Sequence, residues 1–432
     1  MIYVILVVFI LAFACYFSIT RSFISPFSLL LIAFIMSLSI IVSNMENWQV
    51  EMNPRFPIYI FTAITAFAIG CMMANVISDR SVIHSGSRGV LKTNGGERLG
   101  YSKFIFFLAP AVCTVLFVFM SIDLGHSGGS GNTIFRSIYE ASYENSSNFL
   151  LHQLREIVVA IAEISIMKIF VYKYENKIRI PKGLLIPSMC FAVCTLFSTD
   201  RNIFLRFIIF ALCIWIFFKM SSGERSVQST NRQILKRTVL ILVIAVGLFY
   251  LLGKTKSYTS NLERTIGIYG GSGLYNFNLC LEQLENADLQ YGKETFSQLI
   301  RTLQVFGIDL WDELSNRAGL GMVVFRSPNG YVYASNVYSA LTPYVIDFGL
   351  IGNIIFPLVL GFFFRKIYIS ALRKGSLYSW GIYAMLVYAI VYFPIAEQFF
   401  MRFHLGLVYE IGWFSIIYFL VFGGKKVKVK IG

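Results

Sequence analysis

Apolar runs of 16 to 23 residues, separated by short polar breaks, recur along most of the chain. One stretch, from Lys254 to about Leu341, breaks that rhythm and stays hydrophilic. Coiled at about 1.5 Å per residue, such runs are long enough to cross a hydrocarbon core of about 30 Å. The pattern predicts eleven transmembrane helices, at 2–19, 27–43, 57–77, 104–122, 156–172, 184–198, 203–218, 238–253, 342–364, 379–395 and 406–422. Several runs are short, so the count ranges from ten to twelve. Strict apolar/polar alternation, which a membrane barrel requires, is absent. The reading is an all-α polytopic membrane protein in three parts: helices 1–8 over 1–253, one large outer loop over 254–341, and helices 9–11 with a basic tail over 342–432.

The loop carries helical periodicity of its own. Leu274, Phe277, Leu281 and Leu284 fall on one face, with Glu282, Gln283, Glu285 and Asn286 between them, which predicts an amphipathic helix. A second pattern joins Phe296, Leu299, Leu303, Phe306 and Leu310. Such helices either lie at the membrane interface or cap the helix bundle.

Composition agrees with the pattern: 56% hydrophobic residues, 14% charged and a mean hydropathy of +0.67 lie outside the range of soluble domains. Charge then sets orientation. Of 37 Lys and Arg residues, 23 fall in alternate loops and the tail, beginning with Arg21 and ending with Lys425, Lys426, Lys428 and Lys430. That bias marks the cytoplasmic face and places the long loop and the N-terminus outside. Without a basic n-region or a small-residue cleavage site, the first span reads as retained. The net charge of +14 is then a topology signal and an attraction to anionic lipid, and no nucleic-acid partner is expected.

Six of the seven cysteines fall in spans, so Cys280 has no outer partner for a disulfide. No Walker loop, GxSxG elbow or HExxH motif occurs, so neither cofactor nor metal is expected. The acidic run Asp309-Leu310-Trp311-Asp312-Glu313 is the one place that keeps a metal open.

Two clusters carry candidate chemistry. The turn Ser198-Thr199-Asp200-Arg201-Asn202 joins spans six and seven at their outer ends. A helix N-terminus with free N–H groups and a guanidinium there form an anion site; the alternative is an interfacial Arg201 paired with Asp200 or lipid phosphate. Arg206 lies deeper, where an uncompensated cation costs about 2.5–3.5 kcal/mol. The second cluster runs from Gly330 to Gly349, where the loop re-enters the membrane. Its Tyr and Asn side chains suit sugar rings and hydroxyls, although tyrosines also populate the interfacial belt. Asp347 falls about one turn inside the membrane and needs a partner, with Arg201, Arg206 and Arg402 as candidates.

The many spans, the late outer loop, Thr199-Asp200-Arg201, Tyr269-Gly270-Gly271-Ser272-Gly273, and Asn336-Val337-Tyr338-Ser339-Ala340-Leu341 with Tyr344 and Asp347-Phe348-Gly349 resemble Wzy-type O-antigen or capsule repeat-unit polymerases. The resemblance implies a GT-C-like, inverting glycosyltransferase of the bacterial inner membrane with its active face periplasmic or extracellular. Donor and acceptor would be undecaprenyl-pyrophosphate-linked oligosaccharides, as in lipopolysaccharide or capsule biosynthesis, with no cofactor; membrane lipids and a chain-length regulator protein would be the other partners. Arg201, with Arg206 and Arg264, would neutralise the departing pyrophosphate. Asp347 would be the proton acceptor, with Glu397 and His404 behind it. Tyr269, Asn336, Tyr338, Tyr344, Arg402 and His404 would complete substrate binding with Arg264. The rivals are a lipid-linked oligosaccharide flippase or transporter, for which midspan charges such as Glu163 and Glu410 are few, and an O-antigen ligase sharing the outer lid and arginine chemistry.

Overall fold

A computed structural model describes residues 1–79, 102–128, 133–144, 149–173, 180–198, 202–221, parts of 236–251, 262–310, 323–326, 332–374 and 376–422. The described residues are overwhelmingly helical. The principal helices are α1 (Ile2–Thr20), α2 (Pro26–Ser43), α3 (Phe56–Asp79), α4 (Ala109–Gly128), α5 (Ile134–Glu144), α6 (Phe149–Val171) and α7 (Ile186–Phe197). They continue with α8 (Asn202–Ser221), α9 (Ser272–Asn286), α10 (Ser297–Val305), α11 (Leu341–Lys374), α12 (Leu377–Leu386) and α13 (Leu405–Phe422). Strands β1 (Val323–Arg326) and β2 (Val332–Ser335) pair antiparallel, Val323 opposite Ser335 and Arg326 opposite Val332.

Among the described residues, seven helices are long and apolar enough to cross a membrane: Ile2–Thr20, Pro26–Ser43, Phe56–Ser78, Phe104–Ser127, Asn202–Met220, Leu341–Leu372 and Leu405–Phe422. Each coincides with a span expected from the sequence. The expected spans at 184–198 and 379–395 fall on the shorter apolar helices Lys182–Phe197 and Leu377–Val391. That at 156–172 falls on α6, which buries Glu156, Glu163 and Lys168, and that at 238–253 is described only in part. Helix α1 leaves Val4, Val7, Ile10 and Leu11 exposed, and α3 leaves Met72, Val76 and Ile77 exposed. Apolar surface of this extent is stable in hydrocarbon and an aggregation hazard in water. The protein is a helical membrane protein.

Two compact units divide the chain. Unit 1 comprises Met1–Ser85, Asn261–Ser370 and Leu386–Gly406; unit 2 comprises Gly86–Ser260, Ala371–Met385 and Leu407–Gly432. In unit 1, α3 and α11 approach backbone to backbone. A Cβ at Gly70 would run into the Leu358 carbonyl, and one at Gly361 into the Phe67 carbonyl. Small residues are what allows such contact between membrane helices. Asn353 reinforces the pair, donating to Tyr59 O and Thr62 Oγ1 at 2.9 Å each.

The expected amphipathic helix is α9, and its apolar face is buried in protein rather than spread on lipid: Leu274, Phe277, Leu281 and Leu284 are all buried. Phe277 packs against Phe56 and Tyr59, with centroids 6.3 and 5.9 Å away. Its polar side reaches the same neighbours, since Tyr59 donates to Glu285 at 3.0 Å and Asn278 donates to Glu51 O at 2.8 Å. Capping the bundle satisfies both faces at once.

Unit 2 has a core of Phe117, Leu154, Val158, Val159, Ala162, Phe191, Cys194 and Ile203. Beside it the Trp413 indole donates to Gln153 at 2.7 Å, and Arg206 forms an ion pair with Glu410.

Candidate functional site

Three stretches of unit 1 far apart in sequence surround one cavity of about 220 Å³, lined by Glu294, Asn336, Val337, Tyr338, Thr342, Pro343, Ile346, Ala396, Glu397, Gln398 and Met401. It is smaller than drug-sized pockets of about 300–1,000 Å³.

Local sequence builds each wall. Stretch 336–340 is held from two sides. Asn276 donates to Val337 O at 2.7 Å, Ser339 N donates to Gly273 O at 3.1 Å, and Ala340 N donates to Phe393 O at 2.9 Å. A loop rather than a helix is stable here because its backbone groups find these partners. Thr342 and Pro343 then open α11, where proline is tolerated because first-turn N–H groups lack intrahelical acceptors. The Thr342 Oγ1 atom is buried and has no hydrogen-bond partner among the described residues. Such a group costs about 1–3 kcal/mol unless something satisfies it, so it points to a polar guest.

The Glu397 wall is a turn folded around its own carboxylate. Oε1 accepts the N–H of Phe399 and Phe400 at 3.0 Å each and Oε2 accepts that of Met401 at 2.7 Å, at the start of the helical turn Phe400–Arg402. The Tyr344 hydroxyl donates to Oε1 at 3.0 Å from α11. Burial pushes the Glu397 carboxyl above the ordinary carboxylate range, and the three amides and the phenol pull it back.

The third wall is the turn that carries Glu294. Tyr291 and Gly292 take positive φ of 48° and 99°, and successive amides then face one way and form an anion cradle. Asp347 fills it, its two oxygens accepting the N–H of Glu294 at 3.1 Å and of Thr295 at 2.6 Å. The expected arginine partner of Asp347 is thus replaced by backbone amides, which satisfy a carboxylate without importing a second charge. Gln290 N and Tyr291 N donate to Ile346 O and Asp347 O at 3.2 and 3.1 Å, tying the turn to the top of α11. Just beyond, Gly349 at φ 60° breaks the helix, a backbone position that L side chains rarely adopt.

The structure therefore brings Asn336 and Tyr338 to the lining, and Tyr344 and Asp347 immediately behind it. Arg402 braces the wall from outside. Its guanidinium donates to the Tyr388 hydroxyl, which donates to Gln398 O at 3.1 Å. His404 Nδ1 accepts the N–H of Gly406 at 2.8 Å, and neither it nor Tyr269, in the turn Gly267–Gly271, lines the cavity. Arg264 falls on the short helix Leu262–Ile266. Arg206 belongs to unit 2, where it and Glu410 form their ion pair and where it lines a water-sized cavity of about 10 Å³ with Glu156 and Glu163. Arg201, with Thr199 and Asp200, and Trp311, Asp312 and Glu313 lie outside the described residues.

Sequence reasoning missed Glu294 and Gln398, and held Thr342 within the Gly330–Gly349 cluster without giving it a role. In the run Tyr291-Gly292-Lys293-Glu294-Thr295, Glu294 reads as a solvated loop charge; only the Tyr-Gly turn hints that the chain doubles back. No family model, curated protein or solved structure matches the chain.

Proposed function

We propose that the protein is a repeat-unit polymerase of lipid-linked oligosaccharides, a multi-pass glycosyltransferase of the bacterial inner membrane working at its outer face. One observation carries the reading. The stretch that resembles such polymerases, Asn336 to Tyr338, shares a single cavity with two buried carboxylates, Glu294 and Glu397, and with the Thr342 hydroxyl, which has no hydrogen-bond partner among the described residues. Lysine and arginine are absent from the described lining. A cavity of that polarity favours an uncharged, hydroxyl-bearing sugar and repels a diphosphate, so it is assigned to the acceptor.

In this reading the acceptor hydroxyl attacks the anomeric carbon of the donor glycan. The bond from that carbon to the pyrophosphate oxygen breaks, and undecaprenyl pyrophosphate departs with the electron pair. Glu294 takes the proton of the attacking hydroxyl. Glu397 is less suited, because its two oxygens already accept three backbone amides and the Tyr344 hydroxyl. The resemblance assigns neutralisation of the departing diphosphate to arginines, Arg201 foremost.

The test is Glu294→Gln in a strain lacking the wild-type protein, read on a gel of surface glycans beside its level in the membrane. Single-repeat glycans with normal protein level are expected. A normal ladder overturns the assignment, and loss of all exported units on deleting the protein would point to a flippase.

A further inference from the structure

The turn that carries Glu294 stands at the head of a surface that faces lipid. On α11, Leu350, Ile351, Ile354 and Ile355 are exposed, Ile351 to 67%, on a helix long and apolar enough to span the bilayer. One turn above them, Leu289 and Tyr291 continue the same surface. Their segment is hydrogen-bonded to Ile346 O and Asp347 O, and a Cβ at Gly349 would lie 3.7 Å from Leu289. Tyr291 is 68% exposed in a left-handed backbone conformation. Fifteen residues on, the end of α10 repeats the theme: Val305 is 76% and Phe306 65% exposed, with Ile308 and Leu310 beside them. Between the two apolar ends, Arg301 is exposed and Lys293 half-buried, while Glu294 is buried.

We infer that residues 289–310 lie on the outer bilayer surface, with Leu289 and Tyr291 anchoring one end at the headgroup level and Val305, Phe306, Ile308 and Leu310 inserted at the other. Bilayer lipid is the occupant because the first anchor is continuous with the lipid-facing side of α11. An aromatic ring above a span and cations between apolar anchors are what the interface selects. The anchored segment is also the one whose amides hold Asp347, so the wall of the cavity is fixed to the membrane as well as to α11. This inference does not depend on the polymerase reading.

The experiment places a photoreactive benzoylphenylalanine at Tyr291 or at Phe306 in the full chain, reconstituted into vesicles of phosphatidylethanolamine and phosphatidylglycerol. Ile351 serves as the lipid-facing control and exposed Glu282 on α9 as the water-facing one. After irradiation, mass spectrometry should find phospholipid adducts at both positions in yields like that at Ile351. A yield at either position no higher than at Glu282 overturns the inference, and so does a cross-linked protein band in place of the lipid adduct.

Discussion

The Tyr344 hydroxyl donates to Glu397 Oε1 across 3.0 Å, joining the first turn of α11 to the turn at Phe399–Met401. Tyr344 also stacks on Phe356, with centroids 4.7 Å apart and planes 20° from parallel. Its ring is therefore held by packing and its oxygen by the carboxylate. A hydrogen bond to a charged group contributes about 1.5–3 kcal/mol. Tyr344→Phe should keep the stack and lose that bond, lowering the thermal midpoint of detergent-purified protein by several degrees. An unchanged midpoint would remove Tyr344 from the support of the cavity.

Asp347 and Glu294 make opposite predictions for conservative variants. Asp347 holds the Glu294 turn through two N–H bonds, so it acts on chemistry by position. Asparagine keeps one acceptor oxygen, and Asp347→Asn should lengthen glycans less well than wild type while still making chains. Asp347→Ala should lose about 10-fold more, since a cradle of buried amides is left unfilled. Glu294→Gln preserves shape and removes the proton acceptor, and should make none. If Asp347→Asn stopped chain growth while Glu294→Gln sustained it, the two roles would have to be exchanged.

Much of this was legible beforehand, and the reasons for the rest are physical. Spans such as 2–19 and 57–77 announce themselves because uninterrupted apolarity has few other uses, and α9 showed its apolar face through Leu274, Phe277, Leu281 and Leu284. Whether that face meets lipid or protein is a tertiary matter, decided by Phe56 and Tyr59 more than two hundred positions away. Asn336, Tyr338 and Asp347 stood out as polar residues at a membrane entry. Glu294 did not, because a charge in a hydrophilic loop becomes informative only when burial is known. Asp347 was expected to seek an arginine because amides leave no mark in a sequence, and the cradle depends on two backbone conformations at Tyr291 and Gly292.

Glu397 gives the cavity a pH dependence of definite sign. Burial raises its carboxyl above the ordinary 4.5, so the folded protein keeps this proton to higher pH than the unfolded chain does. Its stabilising contribution is full below about pH 4.5 and is lost as pH rises through the folded-state value. Glu397→Gln removes the titration. The midpoint of wild type minus that of Glu397→Gln should therefore fall as pH rises above about 4.5. A difference that grew with pH would mean that the four donors outweigh desolvation.

The ion pair of Arg206 with Glu410 allows stability to be separated from catalysis. Both side chains lie largely out of solvent in unit 2, Glu410 almost fully. Removing one partner from a buried pair leaves an uncompensated charge and costs about 3–5 kcal/mol, whereas replacing both with apolar groups of similar volume is near neutral. Arg206→Met and Glu410→Leu should each reduce the amount of protein in the membrane, and the double variant should restore it. If the guanidinium also neutralises a departing diphosphate, the restored protein will still fail to extend glycans, because methionine replaces the packing and not the charge. Recovery of both the protein and the ladder would make the pair purely structural and leave Arg201 as the cation to test. Failure of the double variant to recover would mean that the charges are held by further partners, of which Glu156 and Glu163, on the same small cavity as Arg206, are the first to replace.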